Sequence, residues 1–189
     1  MGFADPLPTK LLAWRRGSWR GRLSSLLCSD MLLVALALLL GQASQPGAQQ
    51  ATRIVVEKNA HKMTLFAEAR VLHVYQVALG GQPVGAKTRE GDHRTPEGVY
   101  VIDYRQPASK YHLALHVSYP NESDRARARK LGVDPGGAIM IHGLDARFAY
   151  FGVLHRWVDW TDGCVAVTNS EIEEIFRLVP VGTPVEIRP

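Results

Sequence analysis

The 189-residue chain carries 22 Lys+Arg against 18 Asp+Glu, a formal net charge of +4. The excess is mostly N-terminal: residues 44–189 hold 17 of the basic and 16 of the acidic side chains, a net charge of +1. A near-neutral body of this size allows one domain with a proper core and excludes a polyanion binder, so no nucleic-acid partner is expected.

The chain opens with a cationic leader (Arg15, Arg16, Arg20, Arg22), then the uninterrupted apolar run 31–40, MLLVALALLL, then the small-residue stretch Gly41-Gln42-Ala43. This order reads as a secretory signal over residues 1–43, cut after Ala43. As a helix the apolar run spans only about 15 Å, half of a hydrocarbon core of about 30 Å, which favours a signal over a permanent anchor. Leu26 and Leu27 keep a signal-anchor as the alternative. The expected address is the periplasm or cell envelope, with membrane contact only through the leader. Cys28 lies inside the leader, so Cys164 is the single thiol of the exported body. It cannot form an internal disulfide; it is a buried filler, an intermolecular link or a reactive group.

Residues 44–51 are small and polar and read as a linker; residues 52–189 form the folded domain. Three short runs rich in branched and aromatic residues, 53–57, 63–68 and 71–78, predict a β-meander. Residues 79–98 hold five glycines and two prolines among charged and hydroxyl groups. A loop of that length is either functional or disordered. Strands resume at 99–104 and 111–118. In the second, His112 and His116 stand about 13 Å apart on one face, too far to share a metal ion. Residues 121–131 predict a helix capped by Asn121 or Ser123 and stopped by Gly132. The apolar run 138–141 leads to His142. Thr168-Asn169-Ser170-Glu171 is a capping box opening a helix whose buried side carries Ile172, Ile175, Phe176 and Val179. A closing strand follows at 185–188.

The chemistry concentrates between 139 and 167. His142 precedes a glycine at the end of an apolar strand, and Cys164 follows a glycine twenty-two residues later. A thiol becomes a good nucleophile when an imidazole takes its proton, which predicts Cys164 as nucleophile and His142 as general base. Gly163 lets backbone approach the reacting carbonyl and can aim an N–H at an oxyanion. Gly143 allows the same close approach around the base. His155 is a rival imidazole, nearer in sequence. Asp159 and Asp162 are both candidates for orienting His142. A zinc site of His142, Asp162 and Cys164 is the alternative chemistry, poorly supported by a lone cysteine.

These residues resemble the L,D-transpeptidase catalytic domain (YkuD-like). The resemblance rests on Ile139-Met140-Ile141-His142-Gly143 and Gly163-Cys164-Val165. It extends to Lys87, Gly91-Asp92 and Thr95-Pro96-Glu97-Gly98, in the spacing K-x-x-x-G-D-x-x-T-P-x-G, and to Gly182-Thr183-Pro184-Val185. It implies a mainly β fold with a few helices (α+β), a β-sandwich or barrel catalytic domain. It also implies that a peptidoglycan stem peptide acylates Cys164 at its meso-diaminopimelate carbonyl and releases D-alanine. The acyl group then passes to an amine of another stem or of a wall-attached protein. No cofactor and no metal are implied. One departure stands out: Asp162 occupies the place two before the cysteine where the family pattern has histidine. The variant resembles the branch acting on the link between peptidoglycan and attached proteins, where some members hydrolyse. A wall-binding module without catalysis is the reading from another class. Arg89, Arg94 and Arg156 are candidates for the stem-peptide carboxylates, with Trp160, Thr161 and Gly143 beside them in the substrate site.

Overall fold

The first three strands form the expected meander. A computed structural model describes residues 49–189, so the leader and its signal reading lie outside the described residues. β1 (Arg53–Glu57), β2 (Lys62–Ala67) and β3 (Arg70–Gln76) pair antiparallel in sequence order. Ala51, at the end of the expected linker, is buried and donates its N–H to Leu178 O at 2.8 Å, so the folded body begins one residue earlier than the composition suggests.

The remaining strands are β4 (Gly98–Ser109), β5 (His112–Val117), β6 (Met140–His142), β7 (Val165–Ala166) and β8 (Pro184–Arg188). All eight form one sheet in the order β3-β2-β1-β8-β4-β5-β6-β7. The C-terminal strand is inserted centrally, parallel to β1 and antiparallel to β4. The sheet then curls: Ala78, just past β3, exchanges backbone hydrogen bonds with Ala166 on β7 at 3.0 and 2.9 Å. Its two ends are thereby joined around a core that includes Ile54, Leu65, Leu115, Ile141, Val165 and Ile172, all fully buried. This is the mainly β fold with a few helices that the sequence implies.

β4 runs well past the 99–104 stretch. Bulges between Ile102 and Tyr104 and between Gln106 and Ser109 let a polar, proline-containing segment keep pairing with β5, and a bulge tolerates both the missing proline donor and the broken alternation.

Helix α1 (Glu122–Leu131) carries a reciprocal capping box: Asp124 N–H donates to the Asn121 side chain at 3.0 Å, and Asn121 N–H to the Asp124 carboxylate at 3.1 Å. Gly132 ends it in the left-handed region, φ 65°. Helix α2 (Asn169–Leu178) has the box predicted at Thr168 and Glu171, and buries Ile172 and Ile175 completely. Between β6 and β7 lies an element the sequence did not signal, a 3-10 segment over Ala149–Trp157 interrupted at Gly152 (φ 50°, ψ −125°). Its three-residue period and central break hide it from a search for helical or strand periodicity. Among the described residues no helix is long and apolar enough to cross a membrane.

Candidate active site

Cys164 stands at the end of a tight turn held from within. Thr161 Oγ1 donates to Cys164 O at 2.8 Å and accepts the Gly163 N–H at 3.1 Å, while Thr161 N–H donates to Leu79 O at 3.1 Å. Gly163 adopts φ 118°, and a Cβ built there would lie 2.4 Å from Arg94 O. No other residue fits that turn without shifting the chain. Thr161 is thus a buried staple of the turn that carries Cys164. The Gly163 N–H, a candidate oxyanion donor, is taken by Thr161 in the resting protein.

β6 and β7 bring the thiol and the imidazole to one face. Ile141 is in register with Val165 and His142 with Ala166, in parallel. Extending that register places Cys164 beside Met140, and Met140 N–H donates to Cys164 Sγ at 3.4 Å. His142 lies two residues further along the neighbouring strand, on the same face, a step of about 6.6 Å along the strand direction. Among the described residues no hydrogen bond joins Sγ directly to the ring. His142 is almost completely buried. Its Nδ1–H donates to Gly143 O at 2.7 Å, which leaves Nε2 as the basic nitrogen. The ring lies against Tyr111, centroids 4.4 Å apart, and meets Trp160 edge-on at 5.9 Å.

Burial pushes the Cys164 thiol up; the Met140 N–H and the Lys87 ammonium pull the other way, and the Asp162 charge adds to the rise. Burial pushes His142 down, against the opposing contact with Gly143 O. Both shifts point the same way: burial disfavours the thiolate of Cys164 and the imidazolium of His142.

The long glycine-rich loop is ordered around a buried ion pair, Lys87 Nζ to Asp92 Oδ1 at 2.8 Å, the two side chains 4% and 8% exposed. Burial alone would raise Asp92, yet Lys87 and the backbone N–H groups of Thr88, Arg89 and Arg94 hold its carboxyl at about 2. The Lys-x-x-x-Gly-Asp spacing is thus a structural clasp whose far end, Arg94 O, abuts Gly163.

The other candidates distribute unevenly. Asp162 turns to His93, Oδ1 to Nδ1 at 2.7 Å, and not to His142, which removes both its orienting role and its place in a zinc set. Asp159 binds His61 and the Leu79 N–H. The group that orients His142 is the Gly143 carbonyl, which no side-chain search could find. Gly143 itself is wedged against Asn169 and Ile172 of α2, where a Cβ would lie 2.5 Å from Asn169 Oδ1. Arg156 is spent on Glu171, with contacts of 2.5 Å to each carboxylate oxygen, and is not free for a substrate carboxylate. Arg89 and Arg94 line a separate groove with Thr88 and Asp92. Trp160 does face a cavity, of about 540 Å³, whose wall also includes Tyr111, Leu144, Phe151 and His155. The alternation puts Tyr111 at the start of a strand, with no motif to mark it for the site; it lies in the turn just before β5.

The sequence profile of the L,D-transpeptidase catalytic domain matches residues 51–187. The Escherichia coli (strain K12) protein named "Putative L,D-transpeptidase YafK" is 32% identical over 112 residues, 58% of this chain and 38% of that protein. The Bacillus subtilis (strain 168) protein named "Putative L,D-transpeptidase YqjB" is 26% identical over 165 residues, 85% of this chain and 83% of that one. In three dimensions the chain is similar to the helical cell shape determining protein Pgp2 from Campylobacter jejuni: TM-score 0.57, 22% identity, 74% of this chain and 48% of that one. The chain spans less than half the length of YafK and of Pgp2. The profile covers nearly all of the folded body described above, and on that ground the chain belongs to the L,D-transpeptidase catalytic-domain family.

Proposed function

We propose that the domain is an exported cysteine acyl-transfer enzyme of the cell envelope that acts on peptidoglycan stem peptides. The observation that carries this reading is the register of β6 against β7, which sets the one thiol of the body on the same face as a buried imidazole whose Nε2 is left basic. In the first half-reaction His142 Nε2 takes the thiol proton as Sγ attacks the meso-diaminopimelate carbonyl. The tetrahedral intermediate collapses with cleavage of the C–N bond to D-alanine, whose amine receives that proton. The thioester is then attacked by an amine of a second stem or of a wall-attached protein, which re-forms an amide and returns the thiol. Hydrolysis of the same thioester, with water in place of the amine, is the competing outcome.

Intact-protein mass spectrometry with a stem tetrapeptide tests the reading. The expected result is an acyl adduct on Cys164 lacking D-alanine, absent in Cys164→Ala and formed about 10²–10⁴-fold more slowly in His142→Gln. A crosslinked product assigns transfer; release of D-alanine alone assigns hydrolysis. Protein that takes up neither a stem peptide nor a carbapenem, while its thiol still alkylates, would favour the wall-binding module instead.

A further inference from the structure

Five of the seven histidines of this chain pair with carboxylates: His61, His73, His93, His112 and His116, with Asp159, Glu174, Asp162, Glu173 and Asp103 respectively. The exceptions are His142 and His155, and they lie near one another. Trp160 meets both edge-on, its ring 5.9 Å from that of His142 and 6.5 Å from that of His155. His142 has the Gly143 carbonyl as partner. Among the described residues His155 has none: both of its ring nitrogens are buried and neither meets a protein donor or acceptor. A buried polar group left in that state costs free energy comparable to a lost hydrogen bond, so it calls for an explanation.

The residue after His155 is anchored, while Gly152 three residues before it leaves the segment a point at which to move. Arg156 is locked onto Glu171, which the Thr168 capping box fixes to the start of α2. Burial, with the adjacent Arg156 charge and a contribution from His142, holds His155 down at about 4. It is therefore a neutral imidazole with one N–H donor and one acceptor nitrogen, the same complement as a peptide amide. It lines the cavity beside His142, whose volume of about 540 Å³ is in the range of small-ligand sites and whose walls are mainly apolar and aromatic.

Building on the stem-peptide reading above, we infer that His155 is a substrate-positioning residue, hydrogen-bonding a backbone amide of the peptide that occupies the cavity next to His142. Because the ring nitrogens are hidden from water, the peptide reaches them through a shift of the 3-10 segment, which Gly152 interrupts.

Two measurements on the full chain test this. In Cys164→Ala protein, which binds without turnover, ¹⁵N signals of the His155 ring are followed as stem tetrapeptide is added. They are expected to move with the binding curve; rings that stay put at saturating peptide would overturn the inference. In turnover assays His155→Phe, which fills the volume without hydrogen bonds, is expected to raise KM about tenfold, with the larger effect on KM than on kcat. His155→Gln, which offers both a donor and an acceptor, is expected to bring KM back to within about threefold of the parent. Equal losses in the two variants, or none in His155→Phe, would assign His155 to packing. Should the parent form no thioester while the ring signals still follow the peptide, the enzyme reading fails and the binding role stands.

Discussion

At the residue scale the site is a pair of groups that burial shifts toward their neutral forms. Alkylation of Cys164 by iodoacetamide in the resting protein is accordingly expected to rise with a midpoint at or above the free-thiol value of about 8.5. A midpoint below neutrality would show that the ion pair pre-exists. For His142 the sign is the opposite. A base whose protonated form is penalised by burial stays available to lower pH, so the acid limb of acylation is expected below the ordinary histidine value of about 6.5. Gly163 is the most constrained position. Alanine there combines a positive φ with a Cβ at 2.4 Å from Arg94 O, and Gly163→Ala is expected to cost roughly 2–4 kcal/mol in urea unfolding.

At the element scale α2 is the member that organises the site. Its first turn wedges Gly143, accepts the Leu144 N–H on Asn169 Oδ1 at 2.7 Å, and holds Arg156 through Glu171. α1 has an equally complete capping box but no such contacts with the site. The two caps therefore make a matched comparison. Thr168→Ala and Asn121→Ala should each lower stability by about 1 kcal/mol. Only Thr168→Ala should also change the pH profile and rate of Cys164 acylation, because it loosens Glu171 and the 3-10 segment tied to it. Equal kinetics in the two variants would show that the 3-10 segment does not depend on the cap.

For the whole molecule the buried titratable groups predict a two-stage loss of stability in acid. An unfolded histidine takes its proton near pH 6.5, whereas folded His155 waits until about 4 and folded His142 is shifted the same way. Between those values the unfolded chain binds more protons, so stability falls as pH falls. Asp92 acts lower down: an unfolded aspartate protonates near about 3.9 and folded Asp92 only at about 2, so its contribution is lost across that interval. Urea titrations from pH 7 to pH 2.5 should show both stages. His155→Gln should flatten the upper one. Asp92→Asn should shrink the lower one, to which Asp145, held at about 2 by Arg147, also contributes, and should cost about 3 kcal/mol at pH 7, because it leaves the Lys87 ammonium buried without its counter-charge. An unchanged lower stage in Asp92→Asn would place the acid-sensitive carboxylate elsewhere.

Most strands, the Thr168 capping box, the Asn121 cap and the candidate pair Cys164 and His142 were legible in the sequence, because each is a local pattern. Alternation marks a strand, a hydroxyl or amide residue followed at the third place by an acid marks a helix start, and glycine beside histidine or cysteine marks a close backbone approach. What depended on distance along the chain was decided only by folding. The insertion of β8 between β1 and β4, the turn of Asp162 toward His93, the capture of Arg156 by Glu171 and the Gly143 carbonyl behind His142 all join groups that local patterns leave unassigned, or use backbone atoms that every residue carries. The protonation of the pair belongs to the same class. Sequence names the thiol and the imidazole, but burial shifts both toward neutrality, and burial is a property of the packed chain alone.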